Sequence, residues 1–156
     1  MDVRRLRTGE VVTGLAGVVL LAAMVLLDWY GVEVPQGTEP ISGFDAFRAY
    51  DVVDVVLVLL AVAAIALPIL TATQETPAIP VSMSAFIVTG SLIASLVVLF
   101  RIIDTPDLEG ERFILDQPGL NTGFETTLEP GLFVGFAATV AIGVGAWLAM
   151  RDDRAQ

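Results

Sequence analysis

Residues 52–71 read VVDVVLVLLAVAAIALPILT, twenty residues with one charge, Asp54, and one helix breaker, Pro68. A run this long and this apolar has the length of about 20 residues that a helix needs to cross a hydrocarbon core of about 30 Å. Three more runs of the same kind flank it, at about 11–28, 81–103 and 131–150. The chain of 156 residues is 55% apolar and 17% charged, with a mean hydropathy of +0.78, well outside the composition of a soluble domain of this size. The expected fold is an all-α membrane protein, a single four-helix transmembrane bundle spanning 1–156 with the bilayer as its main solvent.

Working outward from 52–71, the helix is expected to begin early. Ser42-Gly43-Phe44-Asp45 has capping-box spacing, and Phe44, Phe47, Asp51 and Asp54 then fall on one stripe. Pro68 is expected to kink or end the helix. The connector Ala72 to Pro80 reads as a tight turn. The first run follows Arg4, Arg5 and Arg7, as in a signal peptide, but Val11 to Leu27 exceeds the usual apolar region of roughly 7–15 residues, so an uncleaved helix is expected. Asp28, Trp29 and Tyr30 close it with the composition of a headgroup boundary.

Five of the eight arginines (Arg4, Arg5, Arg7, Arg151, Arg154) flank the termini, and the loops 30–51 and 104–130 hold only Arg48 and Arg112. The positive-inside bias puts both termini in the cytoplasm of a multi-pass plasma-membrane protein, with both longer loops outside. Val32-Glu33-Val34, Arg112 to Asp116 and Phe124 to Leu128 read as short strands, so a small extracellular β-sheet cap is expected.

Charges at the edge of a span are costly to bury and are the default functional candidates. Here they are Asp28, Asp51, Asp54, Arg101 and Asp104, all expected at the outer end, with Arg101 available to fork between carboxylates of neighbouring helices or to pin helix ends at the interface. Asp104, Asp107, Glu109, Glu111 and Asp116 lack EF-hand spacing and read as a solvated acidic loop, the alternative being an oxygen-rich site for a hard cation such as Ca²⁺. Gly131 and Gly135 make a small-xxx-small step, like Thr13/Gly17, Ser91/Ser95 and Ala141/Gly145, and such steps let helices approach closely.

The net charge of −10 argues against nucleic acid. With no Cys and no His, thiolate chemistry, Cys-based metal sites and Ser-His triads are excluded, and Ser42, Ser82, Ser84, Ser91 and Ser95 have no base to activate them. No catalytic residue, metal or cofactor is expected. The sequence therefore points to a non-enzymatic protein whose outer cap and Phe44/Phe47 segment contact an envelope partner or a second copy. The alternative is a small transporter, channel or lipid-binding protein using the Asp/Arg cluster.

The basic start with Gly9-Glu10, Leu27-Asp28-Trp29-Tyr30, Ser42 to Phe47, Leu99 to Pro106 and the Gly-rich last helix ending Arg151-Asp152-Asp153 resemble uncharacterised four-helix membrane proteins of GC-rich actinobacteria. That resemblance implies topology and no activity. In layout alone the chain is also similar to claudin-like tetraspan proteins, whose cysteine-containing signature it lacks.

Overall fold

The structure, a computed structural model, describes residues 6–34, 37–42, 51–73, 78–105 and 126–154. Four helices, α1 (Thr8–Leu26), α2 (Asp51–Thr73), α3 (Ala78–Ile103) and α4 (Pro130–Arg154), are joined by three strands, β1 (Asp28–Val34), β2 (Gly37–Ser42) and β3 (Thr126–Leu128). All four helices are long and apolar enough to cross a membrane. Each is a few residues longer than its apolar run at one end or both, because a helix continues until a cap or a breaker stops it, not where the apolar residues stop. α4 begins with Pro130, whose missing N–H is harmless at a first helical position.

Each helix packs against its sequence neighbours, and α4 closes back on α1, so the bundle is a ring with α1 facing α3 across it. Small residues set the close approaches. A Cβ on Gly17 would lie 2.8 Å from the Ala61 carbonyl oxygen of α2, and one on Gly145 would lie 2.8 Å from the Thr13 nitrogen of α1. Gly14 beside Pro68 and Gly9 beside Ala149 set the start of α1 against the ends of α2 and α4, so α1 runs antiparallel to both. In lipid, where no hydrophobic force drives helices together, such close backbone packing is the main source of association. Ala16, Leu20, Met24, Leu57, Ile142 and Ala146 fill the interior, whereas Leu15, Leu59, Phe86, Leu92, Leu96 and Val144 point outward. An apolar surface all round is the reverse of a soluble protein and suits helices solvated by lipid. α1 is the most enclosed helix, with 50% of its apolar window buried against 22% for α3, and is thus a structural wall of the bundle.

Pro68 does not end α2, which continues to Thr73. Its ring instead fills the space left by Gly14, where a Cβ would approach Pro68 Cγ to 2.8 Å. α2 and α3 also extend into the expected connector, leaving residues 74–77 between them outside the described residues.

The sheet has the order β2-β1-β3 and is antiparallel throughout. β1 contains Val32-Glu33-Val34, and β3 coincides with the end of the Phe124–Leu128 segment. β2 has no strand signature because Pro40 interrupts it; that residue is tolerated opposite Gly31 on a strand with β1 on one side only. The Arg112–Asp116 segment and residues 43–50 lie outside the described residues, so the capping-box helix start, with Phe44 and Phe47, does too. Ser42 itself is the last residue of β2, opposite Asp28.

Candidate functional site at the sheet end of the bundle

β1 follows α1 after a single residue, Leu27, whose φ of −111° and ψ of 144° turn the chain from helix to strand. Asp28 then pairs with Ser42, while Tyr30 pairs with Ile41, so Trp29 is one residue too many on β1 and the register slips there. In a regular strand, neighbouring side chains point to opposite faces. The slip lifts that rule, and both Trp29 and Tyr30 are fully buried in the core.

The two aromatics whose composition suggested a headgroup boundary are thus enclosed by the protein itself. Trp29 Nε1–H donates to the Ala23 carbonyl at 2.9 Å, an oxygen that also accepts the Leu27 N–H at 3.3 Å. The indole thus adds a second donor to a carbonyl of the last turn of α1 and ties β1 to that helix end. Its ring lies on α4 over Gly135, and the Asp28 carbonyl lies against Gly131, where a Cβ would also meet Trp29 Cδ1 at 2.8 Å. The Gly131/Gly135 step therefore receives a strand and an indole, and the helix-to-helix approaches fall to Gly9, Gly17 and Gly145.

β3 fastens the other side of the same strand. The Glu129 N–H donates to the Trp29 carbonyl at 3.1 Å and the Thr127 hydroxyl to the Gly31 carbonyl at 3.2 Å. Leu132, fully buried, follows directly in the first turn of α4. The sheet is consequently joined to the bundle through α1, through α4 and through its own buried aromatics.

The charged candidates share this end but differ in setting. Asp28 and Asp104 are exposed, the latter just past α3 with its N–H donating to the Phe100 carbonyl at 2.7 Å. Asp54 is half-buried with its Oδ1 shielded from solvent, and Arg101 is half-buried in the last turn of α3. Asp51 opens α2, and its side chain lies outside the described residues. The partner that sequence reasoning missed is Tyr30. Burial pushes its hydroxyl up to about 12, and the positive charge of Arg101 pulls the other way. The charge of Arg101 therefore acts on a buried phenol. Only a strand register shift, invisible in a lone Asp-Trp-Tyr triplet, turns that phenol inward.

Three buried hydroxyls elsewhere in the interior bond to their own helices: Thr13 to the Gly9 carbonyl at 2.8 Å, Ser91 to Val88 at 2.9 Å and Thr139 to Phe136 at 2.8 Å. Ser95 donates across the α3–α4 contact to Thr139 Oγ1 at 3.0 Å. Among the described residues there is no cluster of three or more carboxylates that could hold a metal ion. At the opposite end Glu10, only 3% exposed, accepts the Arg7 backbone N–H at 2.8 Å and so caps α1. Its place at the third helical position is the legible signal for that role.

No protein-family model, no curated protein and no solved structure matches the chain.

Proposed function

We propose that the chain is a non-enzymatic, multi-pass plasma-membrane protein with cytoplasmic termini and an extracellular sheet, and that it binds an envelope partner through that sheet and the adjoining Phe44/Phe47 segment. The observation that carries this reading is the fastening of β1. Trp29 and Tyr30 are buried in the bundle and β3 leads straight into α4, so the sheet is a fixed platform rather than a loose loop. A preordered surface binds a partner without the entropy loss of ordering itself.

Orientation is testable because the chain has no cysteine. A single cysteine at Glu39 should react with a membrane-impermeant maleimide in intact cells, and one at Gln156 only after permeabilisation; the reverse pattern would invert the topology. For the partner, a photo-crosslinking residue at Phe44 or Phe47 should yield one discrete protein adduct in native membranes, while the same group at exposed Phe86 of α3 yields lipid adducts. Absence of any protein adduct, with a clean monomer in mild detergent, would remove the partner-binding reading.

A second reading, a small transporter, channel or lipid-binding protein, is favoured by the half-buried Arg101, whose charge acts on Tyr30, and by a half-buried Asp54 in the first turn of α2. Under it, Arg101→Ala changes a flux or a ligand affinity more than it changes folding. Equal loss of both marks the cluster as structural.

A further inference from the structure

The ring topology joins the two ends of the chain. A Cβ on Gly9 of α1 would lie 3.0 Å from the Ala149 Cα of α4 and closer still to the Ala149 nitrogen, so Arg7 and Arg151 stand at the same end of the most extensive helix contact in the molecule. Arg4 and Arg5 precede in sequence and Arg154 follows. In a chain of net charge −10, two arginines thus share one end of one helix pair, Arg4 and Arg5 and the side chain of Arg154 lying outside the described residues.

A second observation gives that end a definite geometry. Arg151 is exposed, and its guanidinium carbon lies 5.5 Å from the centroid of the Trp147 ring, itself 49% exposed. A guanidinium held over an indole is oriented by cation–π attraction, and its in-plane N–H groups are left at its edge. Those edge donors match two oxygens of a phosphate. Trp147 lies one helical turn inside Arg151, where an amphipathic ring favours the boundary between hydrocarbon and headgroups.

We infer that the Trp147/Arg151 pair, at the end of the bundle where α1 also begins, is a binding site for the phosphate of an anionic phospholipid in the leaflet at the terminal end of the bundle. The inference rests on the chain spanning a membrane, and not on which side the termini face. Lipid is the occupant, rather than a soluble anion, because the indole beside the cation offers an apolar face that acyl chains cover and a free phosphate does not use.

The test places the full-length protein in vesicles of phosphatidylcholine containing equal fractions of brominated phosphatidylcholine or brominated phosphatidylglycerol and follows tryptophan quenching. Trp29 is fully buried, so Trp147 reports. Brominated phosphatidylglycerol should quench more strongly, Arg151→Gln should lower that preference about fivefold, and Arg151→Lys should fall between the two. Arg151 is exposed, so neither variant endangers the fold. Equal quenching by the two lipids would overturn the site while leaving the membrane reading intact. Absence of quenching by either would overturn both. Loss of the preference on exchanging chloride for inorganic phosphate at constant ionic strength would assign the site to a soluble anion and overturn the lipid.

Discussion

The indole of Trp29 occupies the space that a side chain on residue 135 would need: a Cβ there would lie 2.5 Å from Trp29 Cζ2 and 2.6 Å from Cη2. The ring is rigid and fully buried, so it has no free end to swing aside. Gly135→Ala should therefore destabilise the protein by about 1–3 kcal/mol, the usual cost of overpacking. Thermal unfolding in a mild detergent checks this, and a variant as stable as the parent would refute the packing.

Trp29→Phe removes the hydrogen bond to the Ala23 carbonyl but leaves that oxygen its Leu27 N–H. The acceptor is not orphaned, so the hydrogen-bond loss should be near the low end, about 1 kcal/mol, with lost ring packing added to it. Trp147→Phe, on the exposed face of α4, should stay within about 0.5 kcal/mol of the parent. Equal effects of the two substitutions on the unfolding midpoint would contradict the anchoring role of Trp29.

Glycines that look alike in sequence should respond with opposite sign. A Cβ on Gly90 would meet only Leu60 Cδ1, at 3.6 Å, an ordinary contact, whereas one on Gly145 would press on Thr13 and on the Gly9 carbonyl. Gly90→Ala should gain up to about 1 kcal/mol from better helix propensity, and Gly145→Ala should lose about 1–3 kcal/mol. Unfolding of the two variants side by side decides it.

Tyr30 gives the protein an alkaline limit. Its folded value of about 12 lies above the ordinary 10.0, so below pH 10 the hydroxyl is neutral in both states and contributes no pH dependence. Between pH 10 and about 12 the unfolded chain releases the proton and the folded chain holds it. Stability should then fall by about 1.4 kcal/mol per pH unit, levelling off above the folded value. In a Tyr50→Phe background the phenolate absorbance reads Tyr30 alone, and Arg101→Gln, by removing the charge that lowers it, should move its midpoint higher still. A midpoint unchanged by Arg101→Gln would separate the two residues.

Ser95 and Thr139 should show a small coupling, about 0.6 kcal/mol in a double-mutant cycle with Ala and Val, the size typical of hydroxyl pairs between membrane helices. A coupling of zero would mean that the hydroxyls interact only with their own helix carbonyls.

The four helices were legible because crossing a hydrocarbon core imposes a length and an apolarity that single runs such as 52–71 display without reference to anything else. Val32-Glu33-Val34 was legible by alternation, and the end of the Phe124–Leu128 segment likewise. β2 was not, since Pro40 and Gly37 carry no strand preference and the strand exists only because β1 offers it partners.

Sequence by itself determined which segments are helices, because that depends on local length and polarity. Only the tertiary structure decided what those segments touch. Trp29 and Tyr30 are interfacial by composition and buried by register, because one extra residue on β1 turns both inward. Gly131 and Gly135 read as a helix-packing step and receive an indole, because a missing side chain specifies a space and not its occupant. Which group fills that space depends on the ring that sets α1 beside α4, a contact between segments more than a hundred residues apart that no local pattern encodes.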